Sequence, residues 1–254
     1  MISKNQIKTI RSLENKKGRT KEKAFVAEGP KVVADLAEFS RPRLVVATTE
    51  WMERNLEFTA RLGCNCIDVT EEELRKVSFL QHPQQVLAVF PIENQGKDEV
   101  PSVEKELYIA LDGVQDPGNL GTIIRIADWF GISRIFCSRD TADVYNPKVI
   151  QATMGSVARV KVEYVDLVNM IKTLPSSMPV FGTFLEGENI YEKNLPQHGI
   201  IVMGNEGKGI SADIEALVTE KLLIPNFPEG RRTADSLNVA IATAITCSEF
   251  RRGR

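Results

Sequence analysis

From residue 107 onward the chain alternates short apolar runs with segments of helical period, and this alternation constrains the fold more than any other feature. The candidate strands are 107–111, 133–138, 160–164, 179–185, 199–203 and 221–225, and the candidate helices are 120–130, 147–154, 166–173, 211–219 and 236–250. Strands and helices in succession predict an α/β domain whose mostly parallel sheet is covered on both faces. Ligands of such sheets bind beyond the carboxyl ends of the strands. The informative residues are therefore those that follow each apolar run.

Three such stretches stand out. After Leu107–Leu111 comes Asp116-Pro117-Gly118-Asn119, which reads as a turn, then Leu120, Ile123, Ile126, Ala127 and Phe130 at helical spacing, with Gly131 as the stop. Arg125 projects opposite that stripe, where an arginine is by default a solvated charge. Backbone N–H groups of the turn are expected to hold an anion or a ribose. The second stretch runs from Ile200-Ile201-Val202-Met203 into Gly204-Asn205-Glu206-Gly207-Lys208-Gly209. It is not a P-loop, because neither Ser nor Thr follows Lys208. A G-x-G-x-x-A match over Gly207–Ala212 comes with fewer than fifty residues remaining, too late to open a dinucleotide-binding domain. The third stretch is Leu222-Leu223-Ile224-Pro225, a loop, and Asp235-Ser236-Leu237-Asn238-Val239. Ser236 is the expected N-cap; Asn238 either orients a ligand or solvates the helix end. The small-residue apolar helix that follows has to be buried, in the domain or against another subunit. Arg231-Arg232 in the loop reads as surface charge, with a phosphate contact as the sharper alternative.

The first part of the chain is organised differently. Residues 1–23 carry Lys4, Lys8, Arg11, Lys16, Lys17, Arg19, Lys21 and Lys23 against Glu14 and Glu22, which is either a solvated helix and loop or a patch for phosphates. Residues 24–93 read as a small α/β unit. Its candidate strands are 43–48, 67–69 and 86–90, with a helix over Val32–Leu36 and a capped helix start at Thr70-Glu71-Glu72-Glu73-Leu74. Residues 94–104 are polar, rich in breakers, and expected to be a linker. The whole chain has net charge −2, so any nucleic-acid partner must be held by local patches. Four cysteines without zinc-ligand spacing predict reduced thiols and a cytoplasmic protein. The longest apolar run is too short for a membrane span. His82 and His198 have no acid or nucleophile at a telling spacing, which leaves a histidine-based hydrolase unsupported.

Together, in order and spacing, the three stretches resemble the three signature motifs of the SpoU (TrmH) family of RNA ribose 2′-O-methyltransferases, in the SPOUT superfamily. Asp116–Gly131 matches the first motif, Val202–Gly209 the second, and Ile224-Pro225 with Ser236-Leu237-Asn238-Val239 the third. Residues 1–93 are similar to the L30e-like domain fused to many members, through Phe25-Val26-Ala27-Glu28-Gly29 and Gln84–Val89. The resemblance implies an RNA substrate-binding domain over 1–93 and a methyltransferase domain over 105–254 whose C-terminal segment forms a deep trefoil knot. It also implies a homodimer formed through the knotted domain and S-adenosylmethionine as cofactor, contacted by Gly204, Ile224 and Leu237. Its substrate would be structured RNA, ribosomal rather than transfer RNA. A catalytically silent RNA-binding member of the same fold is the alternative.

The chemistry needs a ribose oxygen aligned with an electrophilic methyl group, and a route for its proton. The methyl sulfonium is already a good electrophile, so no metal is expected. By the resemblance Arg125 is the base, although a guanidinium normally stays protonated; in a competing account it binds the adjacent phosphate, whose oxygen assists. Asn119 would position Arg125 or the ribose, Glu206 would hold the site together, and Ser236 and Asn238 would orient Arg125 or the substrate. Ten residues separate Pro225 from Ser236, an expanded loop for this family, at the rim of the site.

Overall fold

A computed structural model describes residues 1–92, 106–228, 231 and 233–252. The expected linker at 94–104 lies outside the described residues, as do Glu229, Gly230 and Arg232 of the loop after Pro225. The chain forms two compact units, one of Met1–Gln95 with Asp143–Ala158, the other of Gly96–Ala142 with Arg159–Arg254.

The first unit contains α1 (Lys4–Ser12), α2 (Lys16–Glu22), β1 (Ala24–Glu28), α3 (Pro30–Ala37), β2 (Leu44–Thr48), α4 (Thr49–Arg54), α5 (Leu56–Leu62), β3 (Asn65–Val69), α6 (Glu71–Val77) and β4 (Val86–Pro91). Its sheet has the order β1-β4-β2-β3. Strand β4 is antiparallel to β1 and β2, and β3 is parallel to β2. Alternate side chains go to opposite faces. Phe25, Ala27, Val45, Ala88 and Phe90 meet Val32, Val33, Leu36 and Trp51 on one face. On the other, Val26, Val46, Leu87 and Val89 meet Ile10, Leu13, Leu74 and Val77. The capped start expected at Thr70 is present, with Thr70 and Glu73 each bonding the other's backbone N–H.

Two features of this unit depart from the sequence reading. Residues Asp143–Ala158 supply part of its core: Ile150, on α8 (Pro147–Thr153), lies in the first cluster, and the Tyr145 ring sits 4.8 Å from that of Phe25. Arg19 is also not surface charge. It is 3% exposed and donates to Asp143 Oδ2 from Nη2 at 2.6 Å and from Nε at 3.3 Å, and to the carbonyls of Leu13 and Glu14. The other seven cations of residues 1–23 are exposed.

The second unit runs β5 (Leu107–Asp112), α7 (Pro117–Trp129), β6 (Arg134–Cys137), β7 (Lys161–Tyr164), α9 (Leu167–Lys172), β8 (Val180–Asn189), β9 (Gly199–Gly204), α10 (Ala212–Glu215), β10 (Glu220–Leu223) and α11 (Val239–Arg251). Its six strands, in the order β10-β8-β9-β5-β6-β7, are all parallel. Tyr108, Ala110, Ile200, Val202 and Phe136 pack with Leu167, Ile171 and Ile214 on one face. Helix α11 packs against α7 and β9, and its Phe250 meets Phe181 edge-on at 4.9 Å. Within the second unit, β8 extends four residues past its expected end, and the expected helix 211–219 shortens to Ala212–Glu215. The C-terminal helix is buried along Val239, Ala240, Thr243, Thr246, Cys247 and Phe250, but Ile241 is 52% exposed, so it is not enclosed on every side. No helix among the described residues is long and apolar enough to cross a membrane. The four cysteines are free.

Candidate functional site

Register decides what meets at the carboxyl edge. Asp112 at the end of β5 pairs with Gly204 at the end of β9, so the turn 113–116 and the loop 205–209 leave the sheet side by side. Helix α7 begins three residues before its expected start. Pro117 takes the first helical position, where its missing N–H costs nothing, and the Asp116 side chain caps the helix by accepting from Asn119 N at 2.8 Å. Pro-Gly-Asn is thus the first turn of the helix.

Glu206 reaches across to that turn. Its carboxylate accepts from Gln115 N at 3.2 Å, from Asp116 N at 3.0 Å and from Asn119 Nδ2 at 3.0 Å. The N–H groups expected to hold a ligand anion are therefore occupied by the protein's own carboxylate. Partial burial alone would raise the Glu206 carboxyl, but hydrogen bonds from Asn119 and from the backbone N–H groups of Glu206, Asp116 and Gln115 outweigh it and hold the group below its ordinary value. A depressed carboxylate stabilises the fold fully above its unfolded value near 4.5 and loses that contribution as pH falls through the lower folded value. Glu206→Gln is accordingly expected to lower the melting temperature at pH 7, with the gap to the wild type closing as the pH is taken below that value. A gap independent of pH in thermal unfolding would contradict this role.

The line of hydrogen bonds continues. Asn238 Nδ2 donates to Asn119 Oδ1 at 2.9 Å, while Asn238 Oδ1 accepts from Ala240 N and Ile241 N. Asn238, not Ser236, is the N-cap of α11, and the helix starts at Val239. Glu206, Asn119 and Asn238, one from each stretch, thus form one connected chain. Asn205, to which sequence reasoning gave no role, closes the loop. Its Nδ2 donates to Gly113 O at 2.7 Å, and its Oδ1 accepts from Gly207 N and Lys208 N.

Beside this chain lies a cleft of about 620 Å³ whose lining includes Met203, Gly204, Glu206, Ile224, Ser236 and Leu237. The structure brings Gly204, Ile224 and Leu237 into the lining of one cleft together with Ser236. Arg125 is not among the lining residues. It is exposed on α7 and makes no hydrogen bond or ion pair to a described residue. Thr183, Phe184, Leu185 and Glu186 of β8 also line the cleft; the sequence pattern places Thr183–Leu185 in a strand but carries no signal that they face a site. Among the described residues no group of three or more His, Cys, Asp or Glu is placed to hold a metal ion.

A fully parallel sheet with a glycine-built cleft at its carboxyl edge defines an α/β protein that binds its ligand at the strand ends. The chain belongs to the SpoU rRNA methylase family, whose sequence model matches residues 106–248. An MRM3-like substrate-binding domain matches residues 4–88. The 23S rRNA (guanosine(2553)-2′-O)-methyltransferase RlmP of Bacillus subtilis is 31% identical over 253 residues, covering 98% of this chain and 97% of the relative. Among solved structures, a TrmH-family protein of Porphyromonas gingivalis superposes with a TM-score of 0.85 at 40% identity, over 99% of both chains. An AdoMet-bound rRNA methyltransferase of Sinorhizobium meliloti also gives 0.85, at 31% identity, over 99% of this chain and 97% of that one.

Proposed function

We propose that this chain transfers the methyl group of S-adenosylmethionine to a ribose 2′-hydroxyl of ribosomal RNA. The observation that carries this reading is the hydrogen-bonded line Glu206–Asn119–Asn238, which joins three strand-end stretches beside one cleft. The relative from B. subtilis is named for this reaction on 23S rRNA, and the structure from S. meliloti is an AdoMet-bound rRNA methyltransferase.

The residues present suit the cofactor. Met203, Ile224, Leu237 and Val239 give the cleft apolar surface for a purine, while Gly207 and Gly209 keep the hairpin backbone clear of side chains. Gly204, Ile224 and Leu237 would hold the cofactor there. When bound, S-adenosylmethionine supplies a methyl group activated by its sulfonium. Gly204 is needed for the shape of the wall, because a Cβ on it would lie 2.2 Å from the Gly209 carbonyl carbon and 2.3 Å from Ile210 N. Both neighbours are backbone, so Gly204→Ala has to push the hairpin away, at an overpacking cost of about 1–3 kcal/mol. The expected result is weaker S-adenosylmethionine binding by calorimetric titration; unchanged affinity would remove Gly204 from the cofactor wall.

Glu206 and Asn119 fix the turn from which α7 projects, and α7 carries Arg125. Ser236, in the cleft lining, orients the substrate, and Asn238 acts through its hydrogen bond to Asn119. A guanidinium offers five N–H donors and lacks an acceptor, so Arg125 holds the phosphate next to the target ribose, and an oxygen of that phosphate receives the hydroxyl proton. Arg125 lies outside the cleft lining of its own chain, which supports a homodimer in which it completes the partner's site. The exposed Trp129 of α7 and Ile241 of α11, on two helices that pack together, supply an apolar face for that contact. The C-terminal segment after β10 is read as threaded into the trefoil knot of the SPOUT superfamily, and the first unit as an L30e-like domain that binds the RNA, with its exposed lysines on α1 and α2 toward phosphates. The free thiols accord with a cytoplasmic enzyme. The test is incubation with labelled S-adenosylmethionine and ribosomal RNA from a strain lacking the protein. One ribose 2′-O-methyl group is expected on mapping; S-adenosylmethionine binding without methyl transfer would favour the catalytically silent reading.

A further inference from the structure

The first unit carries a concavity of about 800 Å³ where α3 and α5 end, lined by Phe39, Ser40, Arg41, Arg61, Leu62 and Gly63 among others. Three kinds of group meet there. Phe39 is 59% exposed. The Ser40 hydroxyl oxygen is buried and makes no hydrogen bond to a described residue. Arg41 and Arg61 are exposed, and neither makes a hydrogen bond or ion pair to a described residue. Both guanidiniums are nevertheless held in place. That of Arg61 lies over the Phe58 ring, 5.7 Å from its centroid. That of Arg41 rests on Gly63, where a Cβ would meet it at 2.7 Å and where the backbone has φ +55°. Glycine at 63 thus meets two demands, a left-handed turn and room for an arginine.

We propose that this concavity binds one unstacked nucleotide of the RNA, with its base on Phe39 and its flanking phosphates on Arg41 and Arg61. The proposal rests on the RNA reading above and extends it to a subsite far in sequence from every cleft residue. Sequence-tolerant recognition of unpaired nucleotides combines an aromatic platform with guanidiniums that track the backbone, and both are present. Helix C-termini alone would repel a phosphate. The two arginines reverse that sign, since they outnumber Glu38, the one acid among the lining residues. Arginine suits the task because its fork matches phosphate oxygens bidentately.

The test compares wild type, Arg41→Gln/Arg61→Gln, Phe39→Ala and, as a control for charge, Arg54→Gln, an exposed arginine of the same unit paired with Glu50. Methyl transfer to ribosomal RNA is followed against RNA concentration at several salt concentrations. For the double variant the KM for RNA is expected to rise about tenfold or more, with the loss in KM rather than kcat. The slope of log affinity against log salt should become shallower by about 1.4, the value for two phosphate contacts to a single strand. Phe39→Ala should raise KM with the slope unchanged, a split that mere loss of structure would not produce. Arg54→Gln should match wild type. Wild-type KM and slope in the double variant would overturn the subsite. If the wild type transfers no methyl group, it is the methyl-transfer reading that fails. The subsite is then read by fluorescence anisotropy with a labelled mixed-sequence hexaribonucleotide, where equal affinity of wild type and double variant would overturn it.

Discussion

Replacing Arg125 by alanine is expected to lower methyl transfer by about 10²–10⁴-fold, the range for removing a group that assists proton transfer, while S-adenosylmethionine binds as before. The two halves of that result have separate structural causes. Arg125 is outside the cleft lining, so its removal leaves that lining intact. It is also exposed and makes no hydrogen bond or ion pair to a described residue, so little stability should be lost with it. Arg125→Lys should be intermediate, since it keeps the charge and forfeits bidentate geometry. The dimeric reading adds a sharper test. If the arginine of one protomer serves the cleft of the other, co-expression of Arg125→Ala with Gly204→Ala chains yields mixed dimers containing one site with an intact cleft and an intact arginine. Activity should then reappear from two defective parents. Its absence in purified mixed dimers would place Arg125 in the site of its own chain, and full activity of Arg125→Ala would remove it from the mechanism.

What the sequence disclosed about this site was local. Parallel strands followed by Asp116–Asn119, Gly204–Gly209 and Ile224-Pro225 were legible because apolar runs ending in glycine, proline or a capping residue have few other uses. The parallel six-stranded sheet of the second unit followed from the same pattern. The partners across the sheet were not legible. Glu206 and Asn119 are 87 positions apart, and only the pairing of Asp112 with Gly204 brings them together. The helix start at Pro117 was misplaced because Pro-Gly-Asn is equally good turn chemistry; the Asp116 cap decides between them. Ser236 and Asn238 are both competent caps two residues apart, and Asn238 takes the role because its amide also reaches Asn119. Arg19 looked like one more cation in a basic run. Nothing in its neighbourhood in the sequence marks it as buried, since its counter-ion is 124 positions away. Likewise, periodicity placed a helix at 147–154 but did not say that Ile150 enters the core of the first unit.

The Arg19–Asp143 pair carries the largest expected effect on stability. Asp143→Ala leaves the Arg19 guanidinium 3% exposed with its carboxylate removed. Removing one partner of a buried ion pair costs about 3–5 kcal/mol, because the remaining charge is still desolvated. The carbonyls of Leu13 and Glu14, at 2.9 and 2.8 Å, keep part of that hydrogen bonding, which sets the expectation toward the lower end. The damage should be specific to the first unit: α1 and α2 are tied through Arg19 to a segment that the chain reaches only after β6. Urea unfolding should show a lower midpoint for the variant, and hydrogen exchange should quicken in α1, α2 and α8 before it does in β5 and β9. S-adenosylmethionine affinity should change little, because every cleft residue belongs to the second unit. A double replacement, Arg19→Met with Asp143→Leu, removes both charges and should recover most of the loss, as apolar substitutes for buried pairs do. A single variant that unfolds within about 1 kcal/mol of wild type would mean that Arg19 finds water or other acceptors when Asp143 is gone, and the pair would then not be what fastens Asp143–Ala158 to the first unit.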